Sequence, residues 1–390
     1  MERREGVPAD SLCKIRTIEE LKELLTSVEK IKLYGAGYYL TLFLQEIELI
    51  DSSLREKIEC IMVSDISGNV KKIGNIPVVL YEETNIHSEE YILLTLGHRY
   101  TEEVYEKLKK TGANIFQINY HIFQEGPYQE VKKSIQPFID KFPAQCFDIN
   151  LPISDIKIKA WTCWWQGEAQ APEIVKVCWK SQKKYLPADV EHIIITEKNY
   201  RKYIVLPEHI LEKVRQGKVS IAALSDMIRA SLLYKYGGFW MDATLLLIKP
   251  LDRNVLEYPI YTRNLPETQF CSNAMWAGWF LYVKPGNILF QFLAEAFFYY
   301  FLKNDKLLYY LTVDYFIAIA CNQFPEVETQ LRNIPYNNER ALELGKHLRE
   351  IYNKEKFEFY TKDSYIQKLS YKVGQDECKE NTIYTYLLKT

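Results

Sequence analysis

Through the first 120 residues, short apolar runs alternate with stretches of helical period. TIEELKELLTSVEK (17–30) has Thr17 three places before Glu20, a capping-box pattern, with helical periodicity after it. IKLYGAGYYLTLFLQEI (31–47) reads as a short strand, a glycine turn and a helix. IECIMVSD (58–65), IPVV (76–79), YILLTLG (91–97) and NIFQI (114–118) read as further strands, and TEEVYEKLKKTG (101–112) as a helix ended by glycine. Strands alternating with helices predict a parallel, doubly wound, Rossmann-like sheet.

A charged helix, YQEVKKSIQPFIDKF, and a proline-containing connection follow. The boundary is expected near 140–155, giving domains at 1–140 and 141–390. Beyond it, IKAWTCWWQG (158–167) is strand-like, APEIVKVCWKSQKKY (171–185) is a helix and VEHIIITE (190–197) a strand. IAALSDMIRASLLYKYGG predicts a helix stopped at Gly237, and FWMDATLLLI (239–248) a strand through the core. FQFLAEAFFYYFL (290–302) is expected to be a buried helix, since it carries Glu295 and is shorter than the ~20 residues that span a bilayer.

Composition narrows this picture. The chain has 390 residues, too long for one ordinary core. Its net charge of −2 gives a nucleic-acid backbone no footing. Eight scattered cysteines without a CxxC pair argue against a zinc site or a disulfide framework. MERREGVPADSLCKIR lacks the apolar core of a signal peptide. Reduced thiols and a cytoplasmic location are expected, with the inner face of the membrane as a site of peripheral association.

Three features carry candidate chemistry. Gly35-Ala36-Gly37 sits between a strand and a helix, where backbone N–H groups can face a phosphate. Position 40 is Leu, so the dinucleotide fingerprint lacks its third glycine, and Asp65 lies far along for a ribose-binding acid. A tight turn alone and a sugar-nucleotide site both remain open. Asp226 and Arg229, three apart on an apolar helix, are either a structural ion pair or a pair aimed into a cleft. Asp242 lies in an apolar run, and a carboxylate buried alone would cost several kcal/mol or more, so it needs a partner.

SDMIRASLLYKYGGFWMDATLLLIKPL (225–251) resembles the glycosyltransferases of the capsular polysaccharide synthesis family, relatives of the DXD-containing mannosyl- and galactosyltransferases. Their hallmark is a Ser-Asp-x-x-Arg helix, a Tyr-Gly-Gly turn, then an aromatic and an Asp-centred motif. CWWQGEAQAPEIVKVCWKS (163–181), LPEHILEKVRQGKVSIAALSD (206–226) and SYIQKLSYK (364–372) are similar to the segments before and after it. The resemblance covers about 157–373. It implies a GT-A type α/β fold, a nucleoside diphosphate sugar donor, retention of configuration, and a Mn²⁺ or Mg²⁺ ion on the diphosphate. A cation or lysines must stabilise that leaving group as charge builds on it.

By the same resemblance, Asp242 and Thr244 are the metal or diphosphate residues. Thr244 replaces the second acid of Asp-x-Asp, and Gln367 falls where relatives carry a ligating His. Lys368 and Lys372 are therefore expected to take over part of the metal's work. Trp164, Trp165 and Gln166 fall where the nucleotide base sits, with two core tryptophans as the alternative; Asp226, Arg229 and Gly238 would shape the donor pocket; Asn273 and Trp276 would contact the donor sugar. Asp314, an acid on an otherwise apolar helix, would either orient the donor sugar or acceptor hydroxyl or merely cap a neighbour, while His192, His209 and His347 are expected to be structural or solvent-facing. The resulting expectation is transfer of a hexose from a UDP-sugar to a growing, lipid-linked or free, surface polysaccharide. The alternatives are a non-catalytic sugar-nucleotide scaffold, and an oxidoreductase or epimerase using Gly35–Gly37.

Overall fold

The computed structural model describes residues 12–66, 69–96, 98–118, 120–143, 147, 157–265, 271–272, 276–373 and 380–389. They form two compact units. One runs to Glu130 and takes in Cys271 and Ser272; the other holds Val131–Leu265 and the described residues from Trp276 onward.

The first unit contains β1 (Cys13–Ile15), α1 (Ile18–Ser27), β2 (Ile31–Tyr34), α2 (Tyr38–Ile50), β3 (Ile58–Val63), β4 (Lys72–Ile73), β5 (Ile76–Leu80), β6 (Tyr91–Leu94), α3 (His98–Leu108) and β7 (Asn114–Ile118). Its sheet has the order β1-β7-β6-β2-β3-β5-β4 and is parallel except for β4 on β5. The central strands are buried on both faces, as their uninterrupted apolar runs require. Thr17 caps α1 as its spacing predicts, accepting from the Glu20 N–H at 3.1 Å. The edge strand β1 was not foreseen: three residues carry no period, and only their distant pairing with β7 makes them a strand.

At the end of β2 the Gly35 backbone has φ 110°, and a side chain there would meet the Thr95 carbonyl at 2.6 Å. Thr95 also donates its hydroxyl to the Tyr34 and Gly35 carbonyls. Gly35 thus serves the close approach of β2 to β6. Gly37, which caps α2, has open space around it.

The second unit contains α4 (Glu125–Ile139, shared across the division), β8 (Ile158–Cys163), α5 (Glu173–Tyr185), β9 (Val190–Ile195), α6 (Glu208–Arg215), α7 (Ile221–Tyr236), β10 (Gly238–Met241), β11 (Leu245–Leu247), β12 (Ile260–Thr262) and β13 (Phe280–Val283). Helices α8 (Ile288–Lys303), α9 (Thr312–Gln323), α10 (Pro325–Arg332), α11 (Glu343–Lys346) and α12 (Lys354–Thr361) follow, then β14 (Ile366–Lys368) and α13 (Ile383–Lys389). A mixed sheet has the order β12-β13-β10-β8-β9, with β9, β8 and β10 parallel. Helix α8 is buried as expected, and among the described residues no helix is long and apolar enough to cross a membrane.

One sequence expectation fails informatively. The run 239–248 is not one strand. After Met241 the Asp242 N–H goes to the Trp279 carbonyl (3.0 Å), and the Asp242 carbonyl accepts from Leu245 (2.9 Å), making a tight turn. The chain then leaves the five-stranded sheet, and β11 pairs antiparallel with β14 in a separate ribbon. Both β10 and β11 are buried, so hydrophobicity stays high across the break and conceals it. Asp242 therefore stands in a turn at the C-terminal end of β10, not inside the core.

The glycine pair before β10 has a packing origin. Gly237 (φ 63°) ends α7, and Gly238 (φ 87°) lies so close to β8 that a side chain would meet the Lys159 carbonyl at 2.1 Å. No L-residue with a Cβ fits there without moving β8.

Candidate active site

In the second sheet the chain leaves β8 for β9 on one side and returns through α6 and α7 to β10 on the other. β8 and β10 are adjacent and parallel, so a topological switch point lies at their C-terminal ends. In open α/β sheets ligands bind in the crevice at such a point, because the loops there diverge. Trp164–Gly167 follows β8 and the Asp242–Thr244 turn follows β10, which brings these two candidate segments to the same edge.

Asp242 has found its partners. Its Oδ2 lies 3.0 Å from Lys368 Nζ, and its Oδ1 lies 3.5 Å from an Arg229 nitrogen and accepts from Trp240 Nε1 at 3.0 Å. Arg229 pairs with Asp226 at 2.7 Å one helical turn earlier and stacks over the Trp240 ring at 4.8 Å. The first reading of Asp226–Arg229 holds, since the two form an ion pair, and Arg229 also reaches Asp242. Asp242 and Lys368 keep 27% and 24% of their side-chain surface exposed, so the group is reachable from solvent.

The elements explain the placement. β11 pairs with β14 so that Leu245 faces Lys368, next to the Asp242–Thr244 turn. Lys368 Nζ also donates to Thr244 Oγ1, so one ammonium bridges the two residues expected to hold a metal. Gln182, fully buried on α5, fastens the turn from behind: its Nε2 donates to the Asp242 and Leu245 carbonyls at 3.2 and 2.8 Å. Its Oε1 accepts from Thr162 on β8 at 3.1 Å.

Charge splits the two carboxylates. Burial pushes Asp242 up, but Lys368, Arg229 and the Trp240 N–H together outweigh it and hold the carboxyl below the usual range. Burial also raises Asp226, and Arg229 only partly offsets this while the Asp242 charge adds to it, leaving Asp226 above its usual value. Asp242 is the anion the site maintains.

The Asp242–Thr244 pair, as arranged, does not fit a divalent cation. Lys368 already satisfies an oxygen of each, and among the described residues no group of three His, Cys, Asp or Glu side chains could hold a metal ion. Gln367 points elsewhere: it is fully buried, accepting from the Leu344 N–H (3.1 Å) and donating to the Tyr360 carbonyl (3.4 Å). A strand alternates its faces, so Lys368 and not Gln367 reaches the turn.

The remaining candidates are spread out. Trp164 is half-buried, edge-on to Tyr371 at 5.5 Å, with its Nε1 buried and unpartnered among the described residues. Trp165 is buried against Tyr200, Gln166 is exposed, and Lys372 is exposed on the turn after β14. Trp276 is half-buried before β13, and Asn273 lies outside the described residues. Asp314 is buried in the first turn of α9, and no contact of the Asp242 group involves it. His192 binds Thr162, His209 the Phe298 carbonyl, and His347 stacks on Tyr360 beside Glu350. The described free thiols Cys60, Cys163, Cys178 and Cys321 are pushed up by burial to about 11, 12, 12 and 12, so none is a thiolate nucleophile at neutral pH.

Sequence reasoning missed Trp240 as a ligand of Asp242, and missed Gln182. The signal for Gln182 was a polar residue on the apolar stripe of α5, one turn beyond Cys178 and Trp179.

The second unit is thus a mixed α/β fold with a charged cluster at the switch point of its sheet. The sequence model of the capsular polysaccharide synthesis proteins matches residues 113–387. The chain belongs to that family, which associates it with capsule biosynthesis. No curated protein and no solved structure matches the chain.

Proposed function

We propose that the second unit is a glycosyltransferase that moves a hexose from a nucleotide sugar, a UDP-sugar in the first instance, to a growing capsular oligosaccharide, with retention. One observation carries the reading: Lys368 is held by Asp242 and Thr244 at the switch point between β8 and β10. In this account the donor diphosphate enters beside Lys368 and Arg229. Their charge, with Lys372 nearby in sequence, balances the negative charge that grows on the leaving group. Asp242 holds Lys368 and Arg229 in place and remains ionised. The partly exposed ring of Trp164 offers an aromatic surface to the base. The lysine supplies the positive charge that a divalent cation provides in relatives, so the cation is at most weakly required. Asp314, Asn273 and Trp276 remain candidates for the sugar side, and Gly35–Gly37 for a second nucleotide in the first unit. The protein would work in the cytoplasm, at the membrane's inner face when its acceptor is lipid-linked.

The test is a thermal-shift series with UDP-, GDP-, CMP- and dTDP-sugars, followed by donor hydrolysis assays. Stabilisation by one nucleotide class, lost in Asp242→Ala, is the expected result. A second reading, a non-catalytic sugar-nucleotide scaffold, is favoured by the ion pairs that already link Asp226 to Arg229 and Asp242 to both Arg229 and Lys368. Binding without hydrolysis or transfer would select it.

A further inference from the structure

A cavity of about 800 Å³ lies between α5 and the edge strand β9, and no member of the Asp242 group lines it. One wall is the outer face of α5. Lys176, Lys180 and Lys183 recur there at helical spacing with Trp179 beside them. The opposite wall is Val190, His192 and Ile194, alternate residues on one face of β9. Leu186 and Pro187 line it where α5 turns into β9, and Glu168 lines it near the end of β8.

The chemistry of these walls is specific. Lys176 is partly neutralised by Glu173 at 2.7 Å. Lys180 and Lys183 are exposed, and among the described residues no carboxylate pairs with either. The chain is net negative, so this concave concentration of cations is local. His192 adds no charge, because burial and then Lys183 lower it to about 4.

Its tautomer follows from the hydrogen bonds. Gln182 uses Nε2 on two carbonyls, so its Oε1 must accept the Thr162 proton. Thr162 then accepts from His192 Nε2 at 3.1 Å, which leaves Nδ1 as an acceptor. The groove therefore offers three lysines against the one carboxylate of Glu168, a neutral hydrogen-bond acceptor and apolar surface. Through His192, Thr162 and Gln182 it is joined by hydrogen bonds to the Asp242 carbonyl.

We propose that this groove binds an anionic oligosaccharide, the acceptor strand, through Lys180 and Lys183 with Lys176 behind them. This rests on the transferase reading above. Lys176 to Lys183 spans about 10 Å of helix at 1.5 Å per residue. That spacing suits charges strung along a chain of sugar rings, whereas one diphosphate would engage a single end of the row. The lysines line a concave wall, which suits a strand and disfavours a flat bilayer surface.

The experiment is calorimetric titration of the full chain with an oligogalacturonate of defined length. Its comparators are an uncharged malto-oligosaccharide, farnesyl diphosphate and anionic phospholipid vesicles. The variants are Lys180→Glu/Lys183→Glu and, as a charge control off the groove, Lys184→Glu. The expected result is binding of the galacturonate only, weakened at least tenfold by the double variant and less than twofold by Lys184→Glu. Nucleotide-sugar thermal shifts and thermal stability should be unchanged in both variants. No galacturonate binding, equal loss in Lys184→Glu, or a lysine-dependent preference for the diphosphate or the vesicles would each overturn the proposal. Absence of any nucleotide-sugar shift would instead count against the transferase reading and leave the groove result standing on its own.

Discussion

Lys368 Nζ lies 3.0 Å from Asp242 Oδ2 and also donates to Thr244 Oγ1. The lysine comes from β14, more than a hundred residues after the turn it locks, so the β11–β14 ribbon assembles the site. A bridging ammonium does two things at once. It neutralises a carboxylate that would otherwise be costly to bury, and it leaves positive charge where a diphosphate can displace part of the pairing. Removing Lys368 is therefore expected to lower kcat by about 10²–10³. It also frees Asp242 and Thr244 to bind a cation. Lys368→Ala should accordingly respond to Mn²⁺ far more steeply than the wild type, whose activity should change only shallowly between EDTA and Mn²⁺. Wild-type activity that vanishes in EDTA and returns only with metal would contradict this.

The carboxylates should titrate in a fixed order as pH falls. Asp226, raised chiefly by burial, takes a proton first; Asp242, lowered against its burial by Lys368 and Arg229, takes one last. The signs for stability are opposite. What Asp242 contributes is present above the ordinary carboxylate range and is lost as pH falls through its lowered folded value. An ionised Asp226 is a burden above its raised folded value, relieved as pH falls through it. Carbon-13 NMR of the aspartate carboxyls, assigned with Asp226→Asn and Asp242→Asn, checks the order. Asp242 protonating before Asp226 would refute it.

Gln182 offers a test away from the charged groups. Gln182→Leu keeps the volume but takes the donor from the buried Leu245 carbonyl and the acceptor from the buried Thr162 hydroxyl, and leaves the Asp242 carbonyl with the Leu245 N–H alone. A loss of about 2–4 kcal/mol is expected, since each orphaned buried group costs about 1–3 kcal/mol. Urea unfolding measures it. Turnover should fall as well, because the Asp242 turn loses its anchor, while a stable variant with unchanged kcat would show that the turn holds itself.

The glycines should behave differently although the sequence presents them alike. Gly238→Ala would place a side chain 2.1 Å from the Lys159 carbonyl at φ 87°. It should destabilise by about 2–4 kcal/mol or prevent folding. Gly35→Ala, at φ 110° against Thr95 and Leu96, should do likewise, and Gly37→Ala, with open surroundings, should cost less than about 1 kcal/mol. Thermal melts of the three separate packing glycines from one free to serve a ligand.

Much of this was legible in the sequence, for identifiable reasons. The parallel strands of the first unit showed as apolar runs between helices, and α7 showed through its terminal Gly237. Asp242 stood out because a carboxylate in an apolar run needs a partner, and Arg229 was already suspect at one turn from Asp226. The break after Met241 was hidden because the strands on both sides of it are buried. Gln367 was expected at the site and Lys368 beside it; the strand's alternation decided between them, and alternation needs a register that only the pairing with β11 supplies. Gln182 showed only as a polar residue on an apolar stripe, and its partners, like the indole N–H contact of Trp240 to Asp242, depend on a chain turn that the pattern does not encode.

The central claim is that Asp242 organises a cationic site for the leaving group of an activated sugar. Its most direct test is hydrolysis and transfer from a UDP-sugar by the wild type and Asp242→Asn, a near-isosteric change that leaves Lys368 and Arg229 present but without their shared anion. The account predicts a fall in kcat of about 10² or more with the fold retained by circular dichroism. Unchanged turnover in a folded Asp242→Asn would contradict it.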